Sequence, residues 1–120
     1  MSGDAYRAFL EAKRPVAAAT GFAVEPGEIN SLLKPHQRAM VRWAVAGGRR
    51  AIFAAFGLGK TVVQLETLRL ILKRAGGPGL VVAPLGVRQE LRRDAAMLGK
   101  PVRFIRRTEE AEPTGIHLTN

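Results

Sequence analysis

The sequence predicts an α/β fold in three layers, with a parallel sheet of about four core strands and a helical accessory segment ahead of it. Three observations carry this. Short apolar runs recur near residues 50–56, 79–84, 102–106 and 116–119, with helix-period stripes between them. Turn clusters, Gly47-Gly48, Gly76-Gly77-Pro78 and Gly99-Lys100-Pro101, separate each run from its neighbour. The stretch Ala54-Ala55-Phe56-Gly57-Leu58-Gly59-Lys60-Thr61 then stands between the first run and a helical stripe, the strand-to-turn-to-helix setting of a phosphate-binding loop.

Residues 1–28 form the accessory part. Tyr6, Phe9, Leu10 and Lys13 lie at i, i+3, i+4 and i+7, which predicts an amphipathic helix with a narrow apolar edge that packs on the main body. Pro15 ends it. Val16 to Gly27 reads as a connector with a short extended piece at Phe22-Ala23-Val24. From residue 29 to 120 the chain reads as one partial nucleotide-binding domain. Asn30 and Ser31 offer caps, Pro35 suits a first helical turn, and Met40, Val41, Ala44 and Val45 make an apolar stripe that Gly47-Gly48 closes. Trp43 and His36 read as packing and surface residues.

Arg50 to Phe56 is the first strand expected. Gly57 and Gly59 allow positive φ and leave no Cβ in the way, so successive N–H groups can converge on phosphate oxygens at a helix N-terminus. Lys60 offers a charge to the β- and γ-phosphates, and Thr61 a hydroxyl to Mg²⁺. Val62, Leu65, Leu68 and Leu72 continue as a largely buried helix to Ala75. Gly79 to Pro84 is a β-branched run of the kind that parallel strands covered on both faces show. A helix from Gly86 or Val87 to Leu98 follows, then a strand at Val102–Arg106, an acidic loop from Thr108 to Gly115, and a last strand from Ile116.

Composition narrows the class. The 120 residues are 47% apolar and 24% charged, and no apolar run approaches the ~18 residues a membrane span needs, so no membrane partner is expected. Residues 1–15 lack a secretory signal and the chain has no cysteine, which points to the cytoplasm and excludes disulfides and thiolate metal sites. The net charge is +9, with sixteen basic and three acidic side chains between residues 31 and 107. Arginine outnumbers lysine 14 to 5, and guanidinium forks suit phosphate, so a nucleic-acid backbone is the expected partner.

Written as Ala54-x-x-Gly57-x-Gly59-Lys60-Thr61, with alanine where the general phosphate-loop pattern has glycine, the loop resembles the first motif of superfamily-two DEAD-like helicases. The likeness is to the remodeller-related group of phage or prophage type. Leu33-Lys34-Pro35-His36-Gln37 is similar to the glutamine motif of that family, and the Gln37 amide offers a donor and an acceptor to adenine N7 and N6. Ala83-Pro84-Leu85 resembles the next motif, whose loop touches a DNA backbone, and Ile116-His117-Leu118-Thr119-Asn120 resembles a segment that ends near the DNA-binding edge.

The resemblance implies a RecA-like P-loop fold that binds ATP with Mg²⁺. Gln37, Phe56, Gly57, Leu58, Gly59, Lys60 and Thr61 would contact nucleotide, with Lys60 and Thr61 as catalytic residues and Thr61 also on the metal. Pro84, Leu85, Arg88, Thr119 and Asn120 would lie at the nucleic acid, which the resemblance implies is DNA. The chain is expected to be the amino-terminal part of a helicase-like translocase. The Asp-Glu box and the second RecA-like domain with its arginine fingers would then lie beyond Asn120, and these residues alone would bind ATP without turnover. Two other readings stand beside this one. A non-catalytic nucleotide- or nucleic-acid-binding module would use the same loop and charge, and another P-loop enzyme such as a kinase would need an acceptor-binding carboxylate, for which the helix after the loop offers Glu66.

Overall fold

The computed structural model describes residues 2–13, 18–55 and 59–120. Four helices and a three-stranded sheet follow one another as α1 (Gly3–Ala12), α2 (Pro35–Gly47), α3 (Lys60–Ala75), β1 (Pro78–Val82), α4 (Arg88–Met97), β2 (Val102–Phe104) and β3 (Gly115–Thr119). The sheet is parallel, in the order β1-β3-β2, with Leu80 opposite His117 and Phe104 opposite Leu118. The chain is therefore α/β, as the alternation of runs requires. Among the described residues no helix is long and apolar enough to cross a membrane.

Local chemistry sets the helix ends. Pro35 opens α2 at its first position, where no backbone N–H is missed, and the Gln37 side chain accepts the Lys34 N–H at 2.8 Å. The last carbonyls of α2 are taken by the connector: the N–H groups of Thr20, Gly21 and Phe22 donate to Gly47, Ala46 and Val45 at 3.1–3.2 Å. A Cβ at Gly21 would run into the Val45 carbonyl, which is why this approach needs glycine. The extended piece expected at Phe22-Ala23-Val24 is thus no strand, but Val24 is buried in the core.

Register and burial divide the sheet into two unequal faces. Gly79, Val81, Ile116 and Leu118 face the helices, with Val102 and Phe104 partly buried beside them. Gly79 lies so close to Leu68 and Leu72 that a side chain there would collide with α3. Leu91, Ala95 and Leu98 of the α4 region complete the same core. The opposite face carries Leu80, Arg103 and His117. There the loop after β2 folds over His117, whose Nε2 accepts the Glu112 N–H at 2.9 Å while Nδ1 lies 3.2 Å from the Gly79 carbonyl. Nε2 is thus the unprotonated nitrogen and Nδ1–H the donor.

Four expectations are corrected. The run expected at 50–56 does not enter the sheet over its described part: residues 51–55 pair with no strand, Phe53 is 97% exposed, and the sheet has three strands rather than four among the described residues. Arg50 explains the path, since its guanidinium stacks on Trp43 at 4.4 Å and donates to the Trp43 carbonyl at 2.6 Å, fastening the start of the run to α2. Second, β1 is covered on one face only, with Leu80 54% exposed, so the third layer is not present among the described residues. Third, α1 has no buried residue, and Tyr6, Phe9 and Leu10 on its apolar edge stay about half exposed, so no core forms there among the described residues. Fourth, the third run is a strand only over Val102–Phe104, with one further bond from the Ile105 N–H to the Leu118 carbonyl at 2.9 Å, and the acidic loop contains a short 3-10 turn at Thr108–Glu110. The stop expected at Pro15 lies outside the described residues.

One buried charge ties the helices together. Glu66 is 0% exposed; it accepts the Asn30 N–H at 2.5 Å and holds the Arg69 guanidinium, whose Nη2 also donates to the Glu28 carbonyl at 2.8 Å. The hydrogen bond from Arg69 to Glu66 raises the arginine pKa against the opposing effect of burial. The raised pKa means that, on the alkaline side, the arginine's contribution to stability is not lost until pH rises past its ordinary value. Replacing Glu66 by Ala strands a guanidinium and a backbone N–H, and is expected to cost about 3–5 kcal/mol in urea denaturation. Glu66→Gln, which keeps an acceptor for Asn30, should cost clearly less; equal losses would show that the hydrogen bonds do not matter here.

Candidate functional site

Gly59 precedes α3 with φ 73° and ψ 47°, the left-handed region, and α3 opens on Lys60. The first-turn N–H groups of α3 point out of the helix end, at the positive end of its dipole, and no acidic residue stands in that turn. Lys60 is exposed, so its ammonium is open to an anion. Phe56, Gly57 and Leu58, the other loop residues expected at the phosphates, lie outside the described residues.

Gln37 lies against this loop. It is 8% exposed, its Oε1 takes the Lys34 N–H, and its Nε2 sits where a Cβ at Gly59 would be. Two residues that sequence reasoning singled out separately, one for adenine and one for phosphate, are therefore in contact through packing of α2 on α3. Gln37 also does structural work as the cap of α2, which the sequence reading did not foresee.

Thr61, expected at a metal, donates its hydroxyl hydrogen to Asp94 Oδ2 on α4. Arg93 Nε lies 3.9 Å from the other oxygen of that carboxylate. Among the described residues no group of three or more His, Cys, Asp or Glu side chains gathers to hold a metal ion. A hydroxyl with its proton committed elsewhere still has lone pairs for a cation, so Thr61 fits a Mg²⁺ that brings its remaining ligands as water and nucleotide phosphate.

A groove of about 660 Å³ opens between α2, α3, the 50–54 segment and β1, with Lys60 and Arg50 among its polar residues and Ile52, Leu68 and Leu80 among its apolar ones. The Thr67 hydroxyl on its wall is buried without a hydrogen-bond partner among the described residues. Residues 50, 52 and 54 line it without pairing with β1.

The residues expected at nucleic acid gather at the carboxyl ends of the strands. Val82 lies opposite Thr119, and the Ala83 N–H donates to the Thr119 carbonyl at 3.0 Å, which brings Pro84, Leu85, Thr119 and Asn120 to one edge. Arg88 begins α4 there. Its guanidinium covers the Phe104 ring at 3.9 Å, Arg106 stands 6.0 Å from the same ring, and Arg88 Nε is buried without a hydrogen-bond partner among the described residues. Among the described ion pairs, acids engage Arg69, Arg93 and Arg103, and none engages Arg88, Arg106 or Arg107. Arg106 and Arg107 share a cleft of about 330 Å³ with Thr108 and Thr119.

Asp94, Phe104, Arg106 and Arg107 were missed as site residues. Arg106-Arg107 directly after an apolar run was a readable signal, because in parallel sheets ligands bind beyond the carboxyl ends of strands. Asp94 had no local signal, since its partner is 33 positions away. No family model matches the chain, and neither a characterised protein nor a solved structure matches it.

At Gly59 the positive φ strains any side chain, and a Cβ there would also displace the Gln37 amide. Gly59→Ala is expected to destabilise the fold by at least about 1–2 kcal/mol, whereas Gly86→Ala, where a Cβ meets nothing, should stay within about 0.5 kcal/mol. Thermal midpoints of the two variants check this; equal midpoints would remove the constraint at Gly59.

Proposed function

We propose that this chain binds Mg²⁺-ATP at the start of α3 and a nucleic-acid backbone at the carboxyl edge of its sheet, as the nucleotide-binding part of a helicase-like motor. The observation that carries the reading is the contact of the Gln37 amide with Gly59. It sets a candidate base reader beside a candidate phosphate cradle, from two segments that share no local sequence signal.

In this reading the first-turn N–H groups of α3 and the Lys60 ammonium hold the phosphates, and Thr61 meets the cation. The cation neutralises phosphate charge when bound. Catalysis of phosphoryl transfer is mostly positioning and charge stabilisation, and a RecA-like site shares that work with an opposing domain and a strand-end carboxylate. The proposal for residues 1–120 is therefore binding. The kinase alternative loses support, because Glu66 is committed to Arg69 and Asn30 and has no freedom to serve an acceptor hydroxyl. Arg88, Arg106 and Arg107 supply the charge for a phosphate backbone.

Calorimetry with ATP should give measurable affinity in the presence of Mg²⁺, and Lys60→Ala should remove most of it. Gln37→Ala should narrow the preference for ATP over GTP. Equal ATP affinity in wild type and Lys60→Ala would overturn the nucleotide half.

Binding to a single-stranded oligonucleotide should weaken linearly on a log–log salt plot, with a slope of about 0.7 per phosphate contacted, or about 0.9 for duplex. Arg88→Ala and Arg106→Ala should each lower that slope by about one contact. A slope that neither change alters would move the nucleic acid elsewhere.

A further inference from the structure

We infer that Asp94 on α4 is a positioning residue for the divalent cation, acting through Thr61, so that the gain in nucleotide affinity from Mg²⁺ depends on α4 as well as on the loop. The inference rests on the nucleotide reading given above and adds a residue to it. A threonine hydroxyl has one hydrogen and two lone pairs. With the hydrogen donated to Asp94 Oδ2, the lone pairs point away from that carboxylate, and the hydroxyl cannot turn its proton toward a cation. Groups that orient a metal ligand in this way tune metal affinity though they touch no metal themselves.

The carboxylate is itself held in place: Oδ2 takes the Thr61 hydrogen, Arg93 Nε lies 3.9 Å from Oδ1, and the Asp94 side chain is 14% exposed. Mg²⁺ gives up its hydration reluctantly and usually keeps several waters. The Thr61 lone pairs need replace only one of them, and the bond to Asp94 fixes where those lone pairs lie. The other carboxylate on α3 or α4 that is held in place, Glu66, is occupied by Arg69 and Asn30.

The test is the ratio of affinities for a fluorescent ATP analogue measured with Mg²⁺ and with chelator, in wild type, Asp94→Ala, Thr61→Val and the double variant. Asp94→Ala, which leaves the Thr61 hydroxyl without its acceptor, should shrink the Mg²⁺ gain by about 10-fold or more. The double variant should lose no more of that gain than Thr61→Val alone, because Asp94 acts through the hydroxyl. An unchanged ratio in Asp94→Ala overturns the inference, as does equal weakening in both buffers, which is what a mere tether between α3 and α4 would produce. If Asp94→Ala does not fold by circular dichroism, Asp94→Val carries the same expectation. Wild-type protein that binds no nucleotide in either buffer overturns the nucleotide reading and this inference together. Wild-type binding with the Mg²⁺ gain intact in Asp94→Ala removes this inference alone.

Discussion

The buried carboxylate of Glu66 sets the frame on which the candidate site is hung. A charge at 0% exposure must be matched, and Glu66 is matched by Arg69 from its own helix and by the Asn30 N–H from the segment leading to α2. Arg38 of α2 in turn donates to the Asn30 carbonyl at 3.3 Å. The start of α2 is thereby held beside α3, and Gln37 in its first turn comes to rest on Gly59. Apolar packing alone, through Val41, Val45, Val62 and Val63, is non-directional and would leave the two helices free to slide. Directional bonds to one carboxylate remove that freedom.

From this frame the two ends of the molecule acquire different chemistry. At the amino end of α3 the backbone presents donors, with Lys60 beside them. At the carboxyl ends of the strands the Phe104 ring has two guanidinium groups beside it, Arg88 at 3.9 Å and Arg106 at 6.0 Å from its centre. An arginine held by such a contact loses less conformational entropy on meeting a phosphate than a freely rotating one. Helix α4 joins the two ends: Arg88 at its start belongs to the sheet edge, and Asp94 further along belongs to Thr61. A ligand that shifts Thr61 therefore bears on the helix that carries Arg88.

The open side of the molecule follows from where the chain pairs and where it does not. Residues 51–55 and the outer edge of β1 both offer unpaired backbone, and Phe53, Leu80 and Val82 remain exposed near them. The sheet is three strands wide among the described residues, and the apolar edge of α1 stays about half exposed.

The sequence by itself determined the four helices and three of the four strand runs, because each rests on local periods and turn chemistry. Met40, Val41, Ala44 and Val45 repeat at helical spacing, Gly76-Gly77-Pro78 can only stop a helix, and Gly59 before Lys60-Thr61 needs no distant partner to be read. The tertiary structure decided what depends on long-range neighbours. Residues 51–55 have the composition of a strand, yet a strand exists only where a partner's backbone meets it, and Arg50 is drawn to Trp43 instead. Leu80 reads as core and is exposed, since burial of a face depends on a second layer that no residue of β1 can encode. Asp94 reads as a surface acid and holds Thr61, because the α3–α4 crossing, not local sequence, brings them together.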